Sequence, residues 1–201
     1  AYSLAEIRAL TAVARAHCLA THLDGARFAN ACAALGCSPA EMTWKAGIDA
    51  VSFGGTKNGC MGVEAVVFFD PAHGRELALR RKRGGHLFSK HRYLSSQMVA
   101  YCADGLWLDM AMAANARMAQ LVQGLARVPG AHLCHPAAGN LAFIDAPRAA
   151  HARAFAAGAQ YYLFDGTLDD GPSDGPLRCR IVCDWAKTPE DVEQLLAASA
   201  G

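Results

Sequence analysis

The sequence predicts an α/β protein with a mainly parallel sheet, followed by a smaller α+β region. Helical and strand patterns alternate from Ser3 to Phe53, in the order helix, strand, helix, helix, strand. A glycine-rich turn then separates two apolar runs, Ala50–Phe53 and Val63–Phe69. From about Val128, short strands mix with two helices. We therefore expect a large-domain portion over residues 1–92, a connecting helical region over 93–127 and a small domain over 128–201.

The composition indicates a folded protein that works in a reducing setting. Of 201 residues, 53% are hydrophobic and 18% charged, which is enough apolar surface for a core and excludes disorder. The net charge of +1 gives no reason to expect a nucleic-acid partner. No apolar run approaches the roughly 18 residues of a membrane span. Eight cysteines without a CxxC pair favour a cytoplasmic protein with free thiols and no metal site.

Local signals set the elements of the first half. Ser3 and Glu6 form a capping box that opens a helix running to about His17, and Ser38 with Glu41 repeats the pattern. The apolar run Cys18–Leu23 predicts a short buried strand. Cysteines inside such runs, for example Cys18, Cys102 and Cys183, are expected to behave as small buried hydrophobes.

The second half begins with a helix that follows Asp70 and Pro71 and ends in the basic cluster Arg80–Arg83. This cluster is either a solvated helix end or an anion contact. The later pattern predicts further elements, which are one long apolar helix around Tyr93–Val99 and Leu106–Met118, a helix at Ala149–Ala157, strands at His132–Cys134, Leu141–Ile144, Gln160–Phe164 and Leu177–Cys183, and a last helix after Thr188.

The stretch Ile48–Phe69 holds the first candidate functional residue, Lys57. The glycines around it permit a tight connection between two strands. They place the lysine amine at a strand end, where α/β sheets commonly bind ligands. An amine in partly apolar surroundings is able to attack a carbonyl. The alternative is a solvated lysine on a loop.

Asp24 is the second candidate, because it ends an apolar strand and Gly25 follows it directly. A carboxylate at that position is placed to meet a ligand. The alternative is that Asp24 caps the next helix, Phe28–Leu35.

Three motifs together resemble a known family. They are HLDGAR at His22–Arg27, SFGGTKNG at Ser52–Gly59 and RIVCDW at Arg180–Trp185. In this combination the chain resembles the threonine aldolases, which are pyridoxal-phosphate enzymes of the aspartate-aminotransferase fold (fold type I). It is most similar to the bacterial branch that includes phenylserine aldolase-type proteins, and the similarity runs nearly end to end.

The resemblance implies roles for four residues around a pyridoxal 5'-phosphate cofactor. Lys57 would bond covalently to the cofactor aldehyde, with Thr56 beside it helping to hold the cofactor. Asp24 would pair with the pyridine nitrogen and keep it protonated. Arg27 would lie near the phenolic oxygen.

It also implies a substrate contact. Arg180 would clamp the substrate carboxylate, although Arg178, two residues earlier on the same strand face, competes for this role. Lys90 lies roughly where the family has a basic contact to the cofactor phosphate.

The activity implied is retro-aldol cleavage of L-threonine or a related 3-hydroxy amino acid into glycine and an aldehyde, by a homodimer or homotetramer. Alternatives are another β-eliminating lyase or an aminotransferase on the same fold, or a catalytically silent module. The family's phosphate loop and ring-stacking histidine would precede Ala1. We therefore expect the sequence to begin inside a larger protein and to retain cofactor poorly alone.

Overall fold

Eight α-helices and seven β-strands form the chain, and the computed structural model describes residues 1–201. The chain divides into two units, Ala1–Met110 and Ala111–Gly201. The longest helix has 19 residues, and neither it nor any other helix combines the length and apolarity of a membrane span. In chain order the elements are α1 Leu4–Ala16, β1 His22–Gly25, α2 Phe28–Leu35, α3 Pro39–Met42, β2 Ala50–Gly54, β3 Glu64–Phe68, α4 Gly74–Arg83, α5 Arg92–Cys102, α6 Leu106–Gly124, β4 His132–Leu133, β5 Leu141–Pro147, α7 Arg148–Ala156, β6 Tyr162–Phe164, β7 Pro176–Val182 and α8 Pro189–Ala200.

Side-chain caps begin three of the helices where the sequence predicts. At α1 the Glu6 carboxylate accepts the Ser3 backbone N–H at 2.7 Å, and the Glu6 N–H donates to Ser3 Oγ at 3.3 Å. Ser38 and Glu41 make the same reciprocal pair at α3. At α8 the partners are Thr188 and Asp191. Such caps satisfy backbone donors that have no acceptor inside the helix.

The sheet of the first unit has the order β1-β2-β3. Strands β1 and β2 are parallel, whereas β2 and β3 are antiparallel. The prediction of a mainly parallel sheet therefore holds for one of the two pairings. The connection from β2 to β3, residues 55–63, is shorter than the dozen or so residues that a parallel crossover requires, so β3 must run back along β2.

The predicted strand Cys18–Leu23 is wrong at its start, because β1 begins only at His22. Residues 17–19 instead close α1, since the N–H groups of Cys18 and Leu19 bond to carbonyls of its last turn. Cys18 has a positive φ of 53°, which lies outside the β region of the backbone. Cys18 and Cys102 are exposed and Cys183 is buried, so only the last is the buried hydrophobe that we expected.

One face of the first sheet packs against helices. Val51 is buried in a cluster with Ile7 of α1 and Phe28 of α2, and Leu23 and Phe53 pack against that cluster. Because successive strand residues point to opposite faces, Asp24 lies on the other face of β1 from Leu23. The core thus fixes which residues of β1 stay outside it.

The second unit is a four-stranded antiparallel sheet, ordered β4-β5-β7-β6. Strand β5 alternates buried and half-buried residues along its whole length. Its inner residue Ile144 and Cys179 of β7 share a core with Met118 and Leu121 of α6 and Leu196 of α8. The second sheet therefore has one buried face and one face available to other groups.

Candidate active site

The parallel pairing of β1 and β2 places the two predicted motifs at one edge of the first sheet. In the register, Asp24 lies opposite Ser52 and Gly25 opposite Phe53. The carboxyl ends of both strands therefore coincide, and the residues that follow each strand emerge side by side. Ligands bind commonly at this edge in α/β sheets.

Two glycines allow the segments after these strands to touch. A side-chain Cβ at Gly54 would lie 2.9 Å from both Cα and the carbonyl oxygen of Ala26. A Cβ at Gly25 would clash with the Ser52 carbonyl oxygen. Contacts this short exclude any side chain at either position unless the backbone moves. The sequence therefore brings the aspartate and lysine segments together by omitting side chains.

Asp24 does not cap α2. Its Oδ1 accepts the Ala26 backbone N–H at 3.0 Å, which closes a tight local turn. The cap position of α2 is Arg27, and no side chain bonds to the helix N-terminus there. The capping alternative is therefore wrong. The carboxylate of Asp24 is exposed, while Arg27 is half-buried.

Lys57 lies on a 3₁₀ turn, Thr56–Asn58, directly after β2. The Gly55 N–H donates to the Val63 carbonyl at 3.1 Å, and Gly59 closes the turn with a φ of 113°. The Lys57 side chain is exposed. The partly apolar surroundings that we expected for its amine are thus not present in this structure.

Thr56, beside the lysine, bonds across the turn to the start of β3. Its hydroxyl donates to the Val63 carbonyl at 3.4 Å, and its N–H donates to Glu64 Oε1 at 3.4 Å. These bonds tie the lysine turn to β3.

Asn58 is a residue that sequence reasoning missed. It is 2% exposed, and its Nδ2 donates to the Tyr101 hydroxyl at 2.6 Å and to the Trp107 carbonyl at 2.8 Å. Burial raises the pKa of Tyr101 to about 12, so its hydroxyl stays neutral. The turn that carries Lys57 is thereby fixed to α5 and α6. An Asn-Gly pair signals a turn in sequence, but nothing local points to partners more than 40 residues away.

Arg180 belongs to the second unit and lies on β7, as does its predicted competitor Arg178. Asp145 of β5 holds Arg178 through two bonds of 2.9 Å. Arg180 makes no ion pair. Its guanidinium carbon lies 4.9 Å from the ring centroid of Tyr162, and its Nε is buried without a hydrogen-bond partner. Sequence reasoning did not identify Asp145, whose carboxylate pairs with Arg178 and not with Arg180.

Lys90, which the resemblance links to a phosphate contact, lies in the segment between α4 and α5 and is exposed. The four cations of the Arg80–Arg83 cluster complete α4 and are exposed as well. Arg80 pairs with Glu76 one turn earlier at 2.6 Å, as expected for a solvated helix end.

Comparisons with known proteins show the family of the chain. The family model described as "Beta-eliminating lyase" matches residues 1–147. The low specificity L-threonine aldolase of Pseudomonas sp. (strain NCIMB 10558) is 41% identical over 193 residues, and the enzyme of the same name from Pseudomonas aeruginosa is 39% identical over 190. These alignments cover 96% and 94% of the chain but 53% and 52% of the relatives. The chain thus spans about half their length.

Comparison with a solved structure identifies the fold. The threonine aldolase of Leishmania major superimposes with a TM-score of 0.86 at 24% identity, over 98% of this chain and 56% of that one. This chain therefore has the fold of the matching part of that structure, which confirms the predicted α/β fold.

Proposed function

Because the chain belongs to the beta-eliminating lyase family, we propose that the whole protein is a pyridoxal-phosphate-dependent aldolase. Its substrate would be L-threonine or a related 3-hydroxy amino acid, cleaved to glycine and an aldehyde, as the names of the two Pseudomonas relatives suggest. The observation that carries the proposal is the meeting of the Asp24 and Lys57 segments at one sheet edge, enforced by the Gly54–Ala26 contact.

The residues at this edge fit pyridoxal phosphate. The cofactor needs an amine to bond its aldehyde and an anion beside its ring nitrogen. Lys57 and Asp24 supply these groups from adjacent strand ends, and both side chains are exposed. The bond from Ala26 N–H holds Oδ1 of the Asp24 carboxylate in the turn.

When bound, the cofactor supplies an electron sink for the pair left by the broken Cα–Cβ bond. Asp24 would hold a proton on the ring nitrogen, because an adjacent negative charge favours the protonated form. Lys57 would hold the cofactor covalently, and Asn58 would keep the lysine turn in place through Tyr101. Thr56 and Arg27 would flank the same group.

Arg180 is the better of the two candidate clamps for the substrate carboxylate. Arg178 already holds Asp145 bidentately, so binding a substrate there would break an existing pair. Arg180 has no carboxylate partner and keeps its planar fork for a bidentate contact. A clamp of this kind fixes the orientation of the amino acid relative to the ring.

Domain organisation and assembly belong to the same proposal. We place the small α+β C-terminal domain, residues 128–201, within the second unit, Ala111–Gly201, and keep the predicted ranges 1–92 and 93–127 for the large-domain portion and the connecting region. The protein would act as a homodimer or homotetramer. The apolar side chains of Leu10 and Val13 on α1 are exposed, which supports an interface with another subunit there. Light scattering of the whole protein measures the mass of the assembly and so tests this.

The test of the lysine assignment is reduction of the cofactor-loaded whole protein with borohydride, followed by peptide mass spectrometry. We expect the pyridoxyl mass on Lys57. Lys57→Ala should lose the adduct, whereas Lys82→Ala, which changes an exposed lysine on α4, should retain it. An adduct on another lysine in the unmodified protein contradicts the assignment.

The family name supports β-elimination as the second candidate activity. Product analysis separates the two, because elimination from a 3-hydroxy amino acid yields a keto acid and ammonia, whereas cleavage yields glycine and an aldehyde. Glycine formation that equals aldehyde release supports the aldolase. Release of ammonia without glycine supports elimination.

A further inference from the structure

The outer face of the second sheet holds its two neighbouring arginines in different surroundings. Arg178 and Arg180 are two residues apart on β7, so their side chains leave the same face of the sheet. On β6, Phe164 pairs with Arg178 and Tyr162 pairs with Arg180. Both aromatic rings therefore lie on the same face as the arginines.

The charge of Arg178 is already compensated. Its Nε and one terminal nitrogen each donate to Asp145 at 2.9 Å, and Asp165 approaches its other terminal nitrogen at 3.8 Å. The Arg178 pair lowers the pKa of Asp145, so this carboxylate stays ionised at neutral pH. Arg178 is therefore part of the sheet's own structure.

Arg180 instead stacks on aromatic rings. Its guanidinium carbon lies 4.9 Å from the Tyr162 centroid and 5.9 Å from the Phe164 centroid. Phe164 is itself braced by Phe143 of β5, edge to face at 5.5 Å. Planar guanidinium groups bind aromatic faces well, and the stacking restricts their rotation.

The stacked guanidinium lacks an acceptor. Arg180 Nε is buried and has no hydrogen-bond partner, although buried polar atoms in folded proteins nearly always have one. No carboxylate of the chain forms an ion pair with Arg180. The guanidinium charge is therefore not compensated within the chain, and an oxygen ligand that carries negative charge would pair with it.

We infer that Tyr162 and Phe164 are positioning residues that hold Arg180 ready to bind a carboxylate. The inference rests on the proposed function, in which that carboxylate belongs to the amino-acid substrate. The rings fix the plane of the guanidinium before the ligand arrives, so less side-chain freedom is lost on binding. Asp145 contributes because it pairs with Arg178, which is then not available to bind the same carboxylate.

The first test measures carboxylate binding without catalysis. Arginine Nε–H signals of the ¹⁵N-labelled whole protein are assigned with Arg180→Lys and Arg178→Lys, then followed during titration with sodium propionate. Propionate carries a carboxylate but no amine, so it reports the clamp alone. We expect a saturable shift of the Arg180 signal and none at Arg178. A response at Arg178 alone overturns the inference.

The second test removes the rings. Tyr162→Leu should raise the dissociation constant for propionate roughly three- to tenfold, the range expected for releasing one side chain. Tyr162→Phe is the matched control and should bind propionate normally, because it keeps the ring. Tyr162 is 68% exposed on an edge strand, so both variants should fold, which circular dichroism checks. Equal affinity in the two variants overturns the inference.

Steady-state kinetics separates the inference from the proposed activity. In Tyr162→Leu we expect a higher KM for threonine with kcat nearly unchanged, because the lost contact is made in ground state and transition state alike. If the whole protein does not cleave threonine, the proposed activity fails. The positioning inference then still stands if Tyr162→Leu weakens propionate binding at Arg180.

Discussion

At the scale of single residues, Asp24 accepts a hydrogen bond from the Ala26 N–H and is proposed to pair with the cofactor. Substitution can separate these two roles. Asn at this position keeps an Oδ1 acceptor for the Ala26 N–H but removes the charge. Asp24→Asn should leave the free energy of unfolding nearly unchanged and lower threonine cleavage by on the order of a hundredfold or more. Chemical denaturation and a glycine assay measure the two effects.

A control variant, Asp24→Ala, removes the bond together with the charge, so it should lose both stability and activity. If Asp24→Asn cleaves threonine as fast as the unmodified protein, the residue serves only the turn.

Gly54 is packed so closely that there is no room for a side chain. An added Cβ would lie 2.8 Å from Glu64 Oε2 and 2.9 Å from the Ala26 backbone, so the two segments must separate. Gly54→Ala should lower the free energy of unfolding by about 1–3 kcal/mol, as overpacking does. Urea denaturation of the whole protein measures it.

The same turn provides the matched control, since a Cβ at Gly62 meets no atom within 4 Å. Gly62→Ala should be neutral or slightly stabilising, by about 0.4–1 kcal/mol, because it restricts the unfolded chain. Coincident urea midpoints for Gly54→Ala and Gly62→Ala would contradict the proposed contact.

At the scale of elements, α7 carries a buried histidine that makes the second unit sensitive to acid. His151 is 2% exposed, and its ring nitrogens lie 2.9 Å from the Tyr161 hydroxyl and from the Leu177 carbonyl. Burial, and less strongly the Arg148 charge, lower the pKa of His151 from 6.5. The unfolded chain therefore binds a proton near pH 6.5 that the folded chain does not.

Stability from this residue is thus complete above pH 6.5 and falls as the pH decreases toward the folded pKa, by at most about 1.4 kcal/mol per pH unit. Urea denaturation between pH 7.5 and 5.5 should show this loss. His151→Gln should be less stable at pH 7.5 and lose less on acidification. The same pH slope in both proteins would show that another group titrates.

Elements also mark how far sequence reasoning extends. The helix starts at Ser3, Ser38 and Thr188 were predictable, because capping depends on residues three apart. The start of β1 was not predictable, because Cys18 and Leu19, which are apolar as strand residues are, bond to carbonyls in the last turn of α1. Asn58 and Asp145 were missed for a different reason. Their partners lie 43 and 33 residues away, and only the tertiary fold brings such pairs together.

At the scale of the whole molecule, the eight free thiols should differ widely in reactivity. Cys18 is exposed, whereas burial raises the pKa values of Cys32 and Cys179 to about 12 and that of Cys183 to about 11. The thiolate is the reactive form, so Cys18 should react first with a disulfide reagent. The three buried thiols should react only on unfolding.

Mass spectrometry after timed labelling of the native protein identifies the modified residues. Rapid labelling of Cys32, Cys179 or Cys183 would mean that the cores open readily. Cys18→Ser removes the label at Cys18 without changing a core, so it serves as the control; the exposed Cys102 should still react.

The parallel register of β1 and β2 limits how the whole chain can change over evolution. Asp24 is presented outward only because Leu23 beside it packs inward and the ladder fixes both. Substitutions in these strands alter one side chain, but one residue inserted or deleted within β1 before Asp24 exchanges the two faces of the strand. The carboxylate would then point into the helices and a leucine toward the ligand edge. The spacing from His22 to Asp24 is therefore under stronger constraint than the identity of most residues in β1, and comparing a deletion inside β1 with one in the preceding loop would reveal this.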